Sequence, residues 1–131
     1  RLGGKYSDDW HVAHLMNPRD VVPVSIMPAY PWLTAPLDTS LLRDRLTTLA
    51  RLGVPYDAEM IAHAEADARA QSNPDADGAS DVQARYGQAV AVRAFDGDPA
   101  RLTEMDALVA YLQSLGTLTS AAWRTPEEAA Q

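Results

Sequence analysis

The 131-residue chain has single-domain length, and its 47% hydrophobic and 22% charged residues are an ordinary globular balance. Its formal net charge of −7 argues against a nucleic-acid partner, which needs clustered Lys and Arg. It contains no cysteine, so disulfides, thiolate zinc sites and thiol nucleophiles are excluded within these residues, and no apolar run is long enough to span a membrane.

After a glycine-containing entry, Ser7 reads as an N-cap, with Asp8 and Asp9 in the first turn where the helix dipole favours negative charge. The spacing predicts a helix to about Met16, stopped by Asn17-Pro18. Trp10 and His14, four apart, share a face; His11 falls off that stripe and is expected to be exposed. Five prolines, at 18, 23, 28, 31 and 36, then predict a long, irregular, extended loop over 18–36. Its Val21, Val22, Ile26, Met27, Tyr30, Trp32 and Leu33 are too apolar for disorder, so the loop is expected to be ordered and wrapped on something.

Thr39 or Asp38 is expected to cap a second helix with an apolar stripe of Leu42, Leu46 and Leu49, ending at Gly53. Asp57 caps a third helix, roughly 58–71, alanine-rich, acidic and expected at the surface with His63. Residues 72–80, "SNPDADGAS", read as a flexible linker. A short helix at 81–86 and an extended piece in "QAVAVRAF" follow. Thr103 and Asp106 form a capping-box pattern that opens a last helix with Leu108, Tyr111, Leu112 and Leu115 as its stripe and Gly116 as its end. The tail is expected to fray.

Met27 stands out. Methionine is usually a flexible gap-filler in cores, yet here stiff neighbours hold it in one direction. Two readings stay open: a packed core side chain, or a thioether ligand to a soft or borderline metal, haem iron or copper. His14 is either a ligand, a donor to a cofactor carboxylate, or a satisfied half-buried histidine. Trp10, Tyr30 and Trp32 can line a flat apolar cofactor or simply pack. Arg19 can neutralise a propionate or phosphate, or sit solvated in a turn. No Gly-x-Gly-x-x-Gly, Walker A loop, nucleophile elbow or His-Glu-x-x-His occurs. Hydrolytic and phosphoryl-transfer chemistry therefore has no support, and the chain shows no active site of its own.

The stretch "GGKYSDDWHVAHLMNPRDVVPVSIMPAYPWL", Gly3 to Leu33, closely resembles the mono-haem cytochrome c subunit (subunit II) of cbb-type cytochrome c oxidases. "LGVPYDAEMIAHAEADARAQ", Leu52 to Gln71, and "LTEMDALVAYLQSLGT", Leu102 to Thr117, are similar to later parts of that subunit. The resemblance implies a mainly α, cytochrome c-like domain, single but incomplete at its N-terminus. A Met-ligand loop region (1–36), a helical insertion (37–101), the C-terminal helix (102–117) and a tail (118–131) would make it up. It implies haem c as cofactor and electron transfer toward oxygen reduction to water, at the periplasmic face of the bacterial inner membrane. The implied partners are the catalytic haem-copper subunit and the di-haem cytochrome c subunit. Met27 would be the axial iron ligand. Trp10, Pro28, Tyr30 and Leu112 would help form the crevice, and His14 or Arg19 would reach a propionate. The family's Cys-x-x-Cys-His motif and membrane anchor are not in these residues and are expected upstream of Gly3. Two other functions compete: a haem-free helical interaction module, and a copper site built from His11, His14, Met16 and Met27.

Overall fold

A computed structural model describes residues 2–115. Seven α-helices run in the order α1 (Asp8–Met16), α2 (Pro18–Val21), α3 (Leu42–Arg51), α4 (Ala58–Ala62), α5 (Ala64–Gln71), α6 (Ala79–Tyr86) and α7 (Glu104–Ser114), with a 3-10 turn at Pro31–Thr34. The domain is mainly α, as the sequence predicts. Among the described residues the only β pairing is an isolated antiparallel bridge between Pro36 and Thr103. The expected end of the last helix at Gly116 and the expected fraying of the tail lie outside the described residues.

The first helix forms as its signals dictate. Ser7 Oγ accepts from Trp10 N at 3.1 Å, and Asp8 and Asp9 occupy the first turn. Asn17 closes α1 and caps α2, its side chain accepting from Arg19 N at 3.3 Å. The stretch 18–36 is therefore not loop throughout. Pro18 and Pro31 each open a short helical turn, at positions where a missing N–H leaves nothing unpaired.

Leu15, Phe95, Met105 and Val109 form the main core, and Val12, Met16, Met27, Tyr30, Leu33, Leu108 and Leu112 pack on it. Burying Met105 or Val109, at 1% and 0% exposure, contributes roughly 1.5–3 kcal/mol each. The core-facing stripe of α7 is thus buried Met105 and Val109 with half-buried Leu112, spaced i, i+4, i+7. Tyr111, expected in the stripe, points outward at 60% exposure. The capping box sets this rotation. Thr103 Oγ1 accepts from Asp106 N, and Asp106 Oδ2 accepts from Thr103 N at 2.9 Å. Asp106 Oδ1 also accepts from Asp96 N at 3.0 Å, tying the preceding turn to the helix start. Burial, with the Asp96 charge nearby, pushes the Asp106 carboxyl up.

The segment 37–101, expected as a helical insertion, departs from expectation in several places. α3 starts at Leu42 with no side-chain cap, because both expected caps are used elsewhere. Asp38 Oδ1 accepts from Ser40 N and Oγ, at 3.0 and 2.6 Å. Thr39 Oγ1 donates to Glu65 at 2.8 Å. The expected helix over 58–71 is broken at His63, which is exposed as predicted. Its second half is not a surface helix: Ala64, Asp67 and Ala70 are buried, and the Asp67 carboxylate takes a two-point bond from Arg85 of α6. The expected linker over 72–80 holds a buried Ser72, donating to Arg69 O at 3.0 Å, and the first residues of α6. The expected extended piece over 88–95 makes no ladder. It is held by Gln83 Nε2 to Val90 O and Gln71 Nε2 to Ala91 O, both 3.2 Å, and by Arg93 N to Gln71 O at 2.9 Å.

That clamp presents Arg93 to Asp8. Arg93 Nη2 donates to Asp8 Oδ1 at 3.0 Å, and Gln113 Nε2 of α7 donates to the same oxygen at 2.9 Å. Burial pushes the Asp8 carboxyl up, but the bonds from Arg93 and Gln113 outweigh it and hold it below the usual range.

Two expectations follow. Asp106→Ala strands the N–H groups of Thr103 and Asp96 and should cost about 2–4 kcal/mol in urea unfolding; a loss under about 0.5 kcal/mol would contradict this account of the helix start. Asp8 has a depressed folded pKa, so its contribution is present above its unfolded value near ~3.9 and is lost as pH falls through the folded value. The stability difference between the native protein and Arg93→Met should therefore shrink as pH is lowered from about 5 to about 3, measured by unfolding at each pH.

Candidate functional site

Residues 21–37 carry no charged side chain in a chain of net charge −7. Four of these residues are prolines, at 23, 28, 31 and 36, which have no N–H, so the remaining donors fix the loop. Ser25 N donates to Val22 O at 2.9 Å, and Tyr30 N to Leu15 O at 2.8 Å. Met27 N donates to Ser25 Oγ at 3.2 Å, and Arg19 Nε to Ser25 O at 3.4 Å. Exposure alternates along the loop. Val24 and Ile26 stand out at 88% and 98%, whereas Ser25 and Met27 are half-buried. The thioether side thus faces the core cluster, and the branched aliphatics face away.

The predicted site residues fall into groups. Met27, Tyr30 and Leu112 pack on one cluster with Leu15 and Val109. Pro28 is exposed on the loop. Trp32 is 60% exposed, edge-on to Tyr30 at 5.2 Å between ring centres. Arg19 is exposed and braces the loop through Ser25. Trp10 and His14 stack at 4.7 Å, and Tyr6 continues the stack at 3.9 Å on the other face of Trp10.

His11 is a correction. It was expected to be exposed, and it is 2% exposed. Its Nε2 is fully buried with no hydrogen-bond partner. Trp10 and Tyr6 meet its ring edge-on, at 5.3 and 6.1 Å. Burial pushes its pKa down, against a smaller upward pull from Asp8, which favours the neutral ring. The signal was in the sequence: His11 and Leu15 are four apart, so a core-facing Leu15 brings His11 inward with it.

Among the described residues no group of three or more His, Asp or Glu could hold a metal ion. That leaves a copper site with only the helix-1 histidines and thioethers, and His14 is face-stacked on Trp10. A cleft of about 670 Å³ opens between Tyr6, Arg93, Phe95, Ala110 and Gln113, and no residue of the Met27 loop lines it.

A family model described as cytochrome c oxidase, mono-heme subunit/FixO matches residues 1–119. No curated protein matches the chain. A haem is a flat apolar plate with a metal at its centre and carboxylates on one edge. The residues present fit such a group: a core-facing thioether on a braced, uncharged loop, with apolar surface beside it. The chain belongs to the FixO family, the mono-haem subunits of cytochrome c oxidase, which carry haem and transfer electrons within a multi-subunit oxidase.

Proposed function

We propose that Met27 is the axial thioether ligand of the haem iron, and that this domain relays electrons to the oxygen-reducing centre of a cbb-type oxidase. The observation that supports this most is the loop. Its prolines, the Ser25 side chain and the bond to Leu15 set the direction of Met27 without help from a metal. When bound, haem supplies the one-electron iron couple, and Met/His ligation raises its potential. This chain's residues hold the sulfur still, keep water from it with Tyr30, Leu112 and the core cluster, and keep carboxylates away from it along 21–37. A ligand fixed in advance needs little rearrangement when the electron arrives or leaves.

The second iron ligand and the covalent thioether links would come from a Cys-x-x-Cys-His motif outside these residues, with a membrane anchor placing the domain at the periplasmic face. Pro28 stiffens the loop beside the sulfur. Trp10 and His14, stacked along α1, would form one wall of the proposed crevice, and His14 or Arg19 would reach a propionate. The proposed partners are the catalytic haem-copper subunit and the di-haem subunit. The outward apolar side of the loop, Val24, Ile26 and Trp32, supports contact with another protein surface.

Replacing Met27 tests the ligand. In the haem-loaded subunit, Met27→Ala should abolish the red-edge absorption band of ferric Met–iron ligation, and Met27→His should lower the midpoint potential. An unchanged band and potential in both variants would show that the sixth ligand is another residue.

A further inference from the structure

Helix α3 is apolar on two sides. Leu42 and Leu46 are half-buried and line an internal cavity of about 280 Å³ with Tyr56, Ala64, Val82 and Val90. A surface helix with one such stripe normally carries polar residues on its opposite side. Here Leu49 and the flanking Leu41 and Leu52 stand at 38%, 49% and 77% exposure, and Val54, just past the helix, at 38%. Leu41, Arg45, Leu49 and Leu52 are spaced i, i+4, i+8 and i+11, which places them on one outward face. A groove of about 430 Å³ runs along it, lined by Leu41, Asp44, Arg45, Thr48 and Leu49. Thr48 turns its hydroxyl back onto Asp44 O at 3.0 Å, so it adds little polarity to the groove.

The charge of this face is set apart as well. Residues 41–54 hold Arg43, Arg45 and Arg51 against Asp44 alone, in a chain of net charge −7. All three arginines are exposed. Among the described residues Arg69, Arg85 and Arg93 are in ion pairs, and these three are not. Asp38 lies near Arg45, but Ser40 is what chiefly holds its carboxylate. Cationic and apolar surface therefore stand side by side, which suits an occupant that offers both carboxylates and leucine-sized side chains. A flat anionic lipid surface suits it less. It would meet Asp44 in the groove, and the exposed Asp57 and Glu59 at the start of α4, which packs on α3. A protein segment can set its carboxylates against Arg45 and Arg51 alone. We propose that the outward face of α3 is a docking surface for an acidic, apolar-faced segment of another subunit of the oxidase. A subunit of a multi-subunit oxidase has such neighbours, whichever residue ligates the iron. The face is distinct from the uncharged Met27 loop: one suits a charge-complementary partner, the other an apolar one.

The test uses the assembled oxidase. Leu52→p-benzoylphenylalanine puts a photo-crosslinker on the most exposed residue of the face, where a larger side chain projects into solvent. Irradiation should join it to another oxidase subunit, within a peptide that carries Asp or Glu beside apolar residues. No crosslink, crosslinks only to this chain, to a second copy of it or to lipid, or a joined peptide without carboxylates would each overturn the proposal. Charge reversal gives an independent reading. Arg45→Glu with Arg51→Glu should release the subunit at a salt concentration lower by about twofold or more, whereas Arg45→Lys with Arg51→Lys should hold nearly as the native protein does. Release of the glutamate variant at the native salt concentration also overturns the proposal. Should that variant not fold, the Leu52 crosslink decides alone. Met27→Ala in the same complex separates the two ideas: an unchanged Met–iron band sinks the ligand assignment and leaves the crosslink standing.

Discussion

One hydrogen bond, from the backbone N–H of Tyr30 to the carbonyl of Leu15 at 2.8 Å, sets the geometry on which the site depends. Leu15 lies in the last turn of α1, where carbonyls have no partner within the helix. The loop that follows is short of donors, because prolines occupy 23, 28 and 31. The helix end needs a donor, and the loop has few to place. Joining them pins the loop across the buried face of α1 and turns the Met27 side chain toward the core. Loop and helix are each incomplete without the other. The position of the sulfur is therefore a property of the polypeptide rather than of any group it binds.

The insertion contributes to the same geometry from further away. Its core is small, Ala64, Ala70 and Val82, reinforced by the bond from Arg85 to buried Asp67. Removing one partner of that pair would leave a charge uncompensated, so it fixes how α5 and α6 meet. The end of α5 then matters most. Gln71 holds Ala91 and Arg93 by side chain and backbone, which delivers Arg93 to Asp8 and Phe95 to the main core. Asp8 sits in the first turn of α1 and is shared with Gln113 of α7. The inserted helices thereby lock the two helices that enclose the candidate site, and are not a separate appendage.

Local signals were legible in the sequence where the chain answers to itself. Ser7, Asp57 and Thr103 cap the helices that follow them because capping needs only the next three residues; Asn17, read only as a stop, also caps α2. The irregular character of 22–30 followed from proline chemistry. What could not be read depended on partners distant in sequence. Thr39 looked like a cap, but Glu65, 26 residues on, claims it, whereas Asp38 is taken locally by Ser40. The alanines of α5 looked solvent-facing, because Arg85, which meets Asp67, lies 18 residues on. Tyr111 was expected in the stripe of α7 but is exposed, and Met105, not named in that stripe, is buried; the bond from Asp96 N to Asp106 helps fix the helix start. Of the candidate site, the core-facing placement of Met27 on a proline-stiffened loop agrees with what its neighbours suggested. His11 was misplaced because the aromatic spacing of Trp10 and His14 drew attention to the wrong face of α1.

The distribution of charge completes the physical case for the proposed ligation. A carboxylate near an iron favours its ferric form, and the interaction strengthens as the surroundings become less like water. With eighteen acidic residues against eleven basic ones, a random arrangement would crowd the iron with carboxylates. None lies between Asp20 and Asp38 in the sequence. The half-buried carboxylate of α1, Asp8, is neutralised by Arg93. The exposed acids of the insertion act through solvent and are screened within about 10 Å at moderate salt. The acidic surface and an uncharged surround for the sulfur are thus compatible. In the proposed site, thioether ligation and charge exclusion would push in one direction, toward an iron centre that readily accepts an electron.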